Sequence, residues 1–199
     1  MQVNDVKTLI LQAADEIIAN KDYLTDLDRS IGDADHGVNM AKGFGFTKEA
    51  LEADFDDYKT LFSKVATTLL SKVGGASGPL YGSFFMKFAA SVKDIEELTR
   101  DELNKAFTAG VDGVKQRGKA EVGDKTMVDV LEPVAEALNA GKSFDEVVKI
   151  AEESMEKTKD IKAKKGRASY VGERSIGHID PGAASSYILV KETLGAIND

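Results

Sequence analysis

The sequence predicts an all-α protein on three observations. Apolar residues recur at spacings of three and four, strand-like alternation is scarce, and glycines gather between the helical stretches. Of the 18 glycines, sixteen fall into four groups, at 32, 37, 43 and 45, at 74, 75, 78 and 82, at 110, 113, 118 and 123, and at 166, 172, 177 and 182. Eight helices are expected between these breaks. The first, 3–22, carries the apolar stripe Val3, Val6, Ile10, Ala13 and Ile17. The second, 38–53, follows an acidic loop, and the third, 57–73, repeats the period with Leu61, Val65 and Leu69. The fourth, 79–93, opens at Pro79 after a glycine-rich turn. Thr99 with Glu102 and Ser143 with Glu146 have the spacing of a capping box and start the helices at 99–117 and 143–164, with 125–139 between them. Asp180 before Pro181 offers an N-cap and a favoured first residue for the last helix, 181–197. No linker or 20–50-residue repeat divides the chain, so 1–199 is expected to form one domain.

Composition narrows the chemistry. With 26 Lys and Arg against 34 Asp and Glu the net charge is −8, a poor match for nucleic acid. There is no cysteine, hence no disulfide, thiolate nucleophile or thiolate metal site, and two histidines, His36 and His178, cannot build a multi-histidine centre. A metal would have to be held mostly by oxygen. No apolar run approaches the roughly 20 residues that cross a bilayer, and the opening MQVNDVKTLILQAADE sets acids within its apolar pattern, unlike a signal peptide. A cytoplasmic protein without membrane or nucleic-acid partners is expected.

Two loops carry chemistry. From Leu27 to Asn39 the chain places Asp28, Asp33 and Asp35 within eight residues, beside Gly32 and Gly37. Carboxylates so close repel unless a cation sits among them, and magnesium, which joins protein carboxylates to substrate phosphates, is the natural candidate. A calcium EF-hand beginning at Asp33 fails, since Val38 and Phe44 stand where it needs glycine and glutamate. The alternative is that Asp33 and Asp35 merely cap the next helix. The second loop, Val73 to Gly82, is a glycine-rich turn leading into a helix, where free amides and the Ser77 hydroxyl suit a phosphate, although glycines also serve ordinary close helix packing. Gly113 to Ala120 has P-loop glycine and lysine spacing, but lacks the magnesium-binding hydroxyl and ends a helix. No Glu-x-x-His pair supports a di-iron bundle. His36 suits phosphate contact and His178 phosphorylation, though each also suits an ordinary structural histidine. Six cations between Lys157 and Arg167 form a basic patch in which Arg167, flanked by glycine, is best suited to bidentate phosphate binding.

Four motifs, Gly32-Asp33-Ala34-Asp35-His36-Gly37-Val38-Asn39, Gly74 to Gly82, Gly123-Asp124-Lys125-Thr126-Met127 and Gly166-Arg167-Ala168-Ser169-Tyr170, together resemble the L subunits of bacterial dihydroxyacetone kinases. The resemblance spans nearly the whole chain and implies an antiparallel barrel of eight amphipathic helices with a nucleotide at one end. Carried over, Asp28, Asp33 and Asp35 resemble the ligands of two magnesium ions. His36, Gly37, Val38, Asn39, Ala76 and Ser77 are similar to the phosphate loops. Gly118 and Met127 match positions around the nucleoside, Arg167 a nucleotide-contacting arginine, and Asp180, Pro181 and Gly182 a further nucleotide loop. No protein nucleophile is implied. The implied reaction uses ADP as a bound cofactor, phosphorylated by a phosphohistidine-carrying M subunit of the phosphotransferase system and then passing the γ-phosphoryl of ATP to dihydroxyacetone on a K subunit. Two other readings are an ATP-dependent kinase with exchanging nucleotide, whose relatives carry the substrate domain in the same chain, and a non-catalytic ADP-binding adaptor.

Overall fold

The computed structural model describes residues 1–197, leaving the last two residues of the expected 1–199 domain outside the described region. Those residues contain nine α-helices: α1 (Val3–Ala19), α2 (Lys21–Ile31), α3 (His36–Ala50), α4 (Tyr58–Lys72), α5 (Ser77–Ser91), α6 (Arg100–Gly118), α7 (Val128–Asn139), α8 (Phe144–Lys157) and α9 (Pro181–Thr193). Short 3-10 segments occupy Thr158–Asp160, Arg167–Ser175 and Leu194–Ala196, and no strand occurs among the described residues. The all-α expectation holds.

Packing follows chain order. α3 packs on α4, α4 on α5, and so on to α9, which returns against α1, itself packed on α3, so these eight helices close a ring. One apolar core, from Val6 to Leu194, fills it. The start signals read from the sequence are used: Thr99 and Ser143 accept from the amides of Glu102 and Glu146, with a full capping box at Ser143, and Asp180 accepts from Ala183 N with Pro181 next in line.

The ninth helix corrects the expected count. The helix expected at 3–22 ends at Ala19, and the chain restarts as α2, which lies outside the ring against α3, α9 and the Arg167–Ser175 segment. Its buried face is Leu24, Asp28 and Ile31. An acid in the middle of that stripe disguises the helical period, which is why residues 27–31 look like loop in the sequence. Pairing α2 so closely with α3 requires Gly37, where a Cβ would stand 2.0 Å from the Lys21 carbonyl oxygen. At the other end of the chain the helix expected at 143–164 stops at Lys157, because the backbone there turns into a 3-10 segment and then the glycine-rich stretch.

Candidate functional site

Alternate helices of the ring start at the same end. The residues that open α3, α5, α7 and α9, namely Asp35, Ala76, Met127 and Asp180, all line one depression there. Each helix brings amides without an intrahelical partner and the positive end of its dipole. Such an end of a helical ring favours anions.

The acidic cluster sits at its edge. Asp28, buried on α2, accepts through Oδ2 from the amides of Asp35 at 2.9 Å and His36 at 3.1 Å, so it caps α3 from another helix. Asp35 stands at the N-cap position, but its own side chain makes no capping bond and accepts instead from the Asn39 side chain. Gly32 stands at the C-cap of α2, and a Cβ there would lie 1.9 Å from Asp28 Oδ1, so the position needs glycine while that carboxylate stays where it is. Ala34 takes a left-handed conformation, φ 60°, between Asp33 and Asp35, a strained geometry for alanine that is commonest at functional sites. One carboxylate oxygen from each of Asp28, Asp33 and Asp35 then lies within 4.8 Å of the other two. Burial, followed by the charges of Asp33 and Asp28, pushes the Asp35 carboxyl above its ordinary range, against a hydrogen bond from Asn39. Carboxylates held this close repel one another, and their all-oxygen donor set fits magnesium.

Beside the carboxylates lie a guanidinium and hydroxyls. Arg167 Nη2 is 3.0 Å from Asp33 Oδ2, and its exposed guanidinium faces the same depression. Asp180 is buried beneath, and desolvation lifts its carboxyl to about 7 although the Ala183 amide opposes that shift. His36 is buried too, its Nε2 3.0 Å from Ser185 Oγ and its Nδ1 3.1 Å from Ser77 Oγ. Burial holds the ring neutral down to about 4, with the Asp28 charge opposing.

Of the residues singled out from the sequence, Asp28, Asp33, Asp35, His36, Asn39, Ala76, Ser77, Met127, Arg167, Asp180, Pro181 and Gly182 line this depression. Three do not. Gly37 is packed against α2, Val38 projects outward at 50% exposure, and Gly118 sits next to Leu80, which lines the depression while Gly118 does not. His178 is exposed and away from it. Sequence reasoning gave no role to Lys125, which is 1% exposed and donates through Nζ to the carbonyls of Thr158, Ser175 and His178 at 2.6, 2.8 and 2.5 Å. Its position inside the Gly123–Met127 motif was the available signal. Asp129 fixes that turn by accepting from Gly123 N and Thr126 N, both at 2.7 Å.

The ring with its helix starts gathered around an acidic edge matches one class of domain: the family model described as the DAK2 domain aligns with residues 30–195. The ADP-binding subunit DhaL of the PEP-dependent dihydroxyacetone kinase 1 of Listeria innocua serovar 6a is 51% identical over 171 residues, covering 85% of this chain and 84% of that protein. The corresponding DhaL of Escherichia coli K12 is 46% identical over 191 residues, 92% of this chain and 91% of that one. The chain belongs to this family, the ADP-binding L subunits of bacterial dihydroxyacetone kinases. In fold it is also similar to the dihydroxyacetone kinase of C. freundii in complex with AMP-PNP and Mg2+, with a TM-score of 0.78 at 22% identity over 99% of this chain and 34% of that larger one.

Proposed function

We propose that the chain, as one domain over 1–199, is the nucleotide-carrying phosphotransferase subunit of a phosphoenolpyruvate-dependent dihydroxyacetone kinase in the cytoplasm. One observation carries this reading: three carboxylates and four helix N-termini meet at a single depression, the first suited to a hard cation and the second to phosphate. Asp28, Asp33 and Asp35 would hold two magnesium ions. The amides at the starts of α3 and α5, with Ser77, Arg167 and the Asp180–Gly182 turn, would hold ADP, and Met127 would pack beside the nucleoside. When bound, ADP would supply the chemistry, accepting a phosphoryl group from phosphohistidine on the M subunit to become ATP, whose γ-phosphoryl would pass to dihydroxyacetone on the K subunit.

The chain's own part is positioning and charge neutralisation, which phosphoryl transfer mainly requires. Asp28 is fixed in advance by two amide hydrogen bonds, so its second oxygen is presented without reorganisation. Arg167, already paired with Asp33, lies where its planar fork can turn from that carboxylate to a phosphate. No side chain is asked to form a covalent bond. Replacing Asp33 or Asp35 with Asn is expected to abolish phosphoryl transfer while circular dichroism stays that of the parent, and chelation should lower the melting temperature of the loaded protein. Parental turnover in both variants would remove the cation site from the account.

A further inference from the structure

A buried run of hydroxyls and one imidazole leads from the core to the depression. Tyr81 Oη is 2.8 Å from Ser185 Oγ and 3.0 Å from Ser186 Oγ. Ser185 Oγ is 3.0 Å from His36 Nε2, and His36 Nδ1 is 3.1 Å from Ser77 Oγ. Tyr81, Ser185, Ser186 and His36 are buried, whereas Ser77 stands in the first turn of α5 and lines the depression.

Each hydroxyl has one proton and a neutral imidazole has one N–H, so the donor directions along the run are linked. With the ring proton on Nε2, that nitrogen donates toward Ser185 and Nδ1 takes the Ser77 proton. Ser77 then shows only lone pairs to the depression, which an anion avoids. With the ring proton on Nδ1, the ring donates to Ser77 Oγ and the Ser77 proton turns outward. The Pro181 carbonyl also accepts from the ring and competes for its single proton; the second arrangement leaves a buried Nε2 in need of a donor, so it is held only when Ser185 gives its proton to that nitrogen. Its other acceptor, the Gly182 carbonyl at 3.1 Å, already receives the Ser186 amide through the ladder of α9 and does not depend on it. Behind Ser185, Tyr81 and Ser186 each have a proton to pass along the same direction.

The inference rests on the nucleotide reading above. We propose that Ser185 is a positioning residue for the phosphate site: its proton, given to His36 Nε2, holds the ring in the Nδ1–H form and so aims the Ser77 hydroxyl at a phosphate of the bound nucleotide. Ser185 touches no ligand itself. The relay makes Ser77 a donor only when the chain behind it is intact, and it selects against any arrangement in which Ser77 faces the anion with lone pairs.

The test uses nitrogen-15 NMR of the imidazole rings with magnesium and ADP as the probe, since the chain has two histidines and His178 is exposed. In the parent saturated with Mg·ADP, His36 should be protonated at Nδ1 and bare at Nε2, and in Ser185→Ala the ring should change to Nε2–H. Mg·ADP affinity should fall about tenfold in Ser185→Ala and in Ser77→Ala, the size of one hydrogen bond to a charged acceptor. The double variant should fall no further than Ser77→Ala alone, because both changes remove the same bond. Ser185→Thr, which keeps the hydroxyl, should restore both signal and affinity. An Nε2–H ring in the ADP-bound parent, or losses that add in the double variant, overturns the relay while leaving the nucleotide site standing. Failure of the parent to bind Mg·ADP overturns the site and the relay together.

Discussion

Lys125 offers the sharpest test of how the site's far wall is held. Its ammonium is buried, burial lowers its pKa, and its three protons are spent on the carbonyls of Thr158, Ser175 and His178. Those carbonyls bracket the stretch that carries Arg167, so one side chain ties three points of an otherwise irregular segment to the start of α7. Substituting Lys125 with Met keeps the length of the side chain and removes all three donors. The Thr158 carbonyl would keep the Ile161 amide, but the Ser175 and His178 carbonyls would lose their donor at on the order of 1–3 kcal/mol each, offset in part because Met does not pay the desolvation of an ammonium. A net loss of about 3 kcal/mol is expected, which for a chain of this size lowers the melting temperature by roughly 6–12 °C. If opening the segment is easier than unfolding the whole, the loss appears locally, as faster amide exchange across residues 158–178 with little change in α4 and α5. Calorimetry and hydrogen-exchange mass spectrometry on the ligand-free protein read both outcomes. A Lys125→Met variant that melts within about a degree of the parent and exchanges at the parental rate would refute the reasoning, since the two carbonyls would then have found other partners at no cost.

Two further predictions concern the site itself. For His36, the unfolded chain takes a proton near 6.5 and the folded ring only near 4, so its contribution to stability is complete above about pH 6.5 and is lost as the pH falls toward 4; in metal-free, nucleotide-free protein this amounts to on the order of 3 kcal/mol, measurable as a falling denaturation midpoint that flattens in His36→Gln. For Arg167, the Lys replacement should lose activity and nucleotide retention, because a point charge cannot reproduce a planar fork that, on the proposed reading, would serve Asp33 and phosphate in turn; parental behaviour in Arg167→Lys would leave it part of a solvated basic patch.

The ring of helices was legible because its faces are amphipathic at regular spacing and its starts are marked by caps, as at Ser143 and Asp180, where local chemistry alone decides the structure. α2 was not, because one of its three buried positions is Asp28, and an acid on a buried face is understood only once α3 presents the two amides it caps. The acidic cluster could be read from its residue types and crowding, but not the way it is assembled, with one carboxylate on a helix and two around a left-handed Ala34. Lys125 and Ser185 escaped notice for a related reason. A lysine in a polar turn and a serine in a helix carry no signal of burial, and their partners lie 33 to 53 and 149 residues away. Gly37 and Val38, which follow His36 in the motif, end on other surfaces because successive helical residues point about 100° apart.

The central claim is that this chain holds a magnesium nucleotide as a cofactor. It is tested most directly by loading the protein with labelled ADP and magnesium and following the label while the K subunit, dihydroxyacetone and a phosphohistidine donor are supplied. The label should stay with the protein through many turnovers, be converted in place from ADP to ATP by the donor when dihydroxyacetone is withheld, and be released when Asp33 or Asp35 is changed to Asn. Exchange of the label at every turnover, with free ATP sustaining full activity in the absence of the donor, would contradict it.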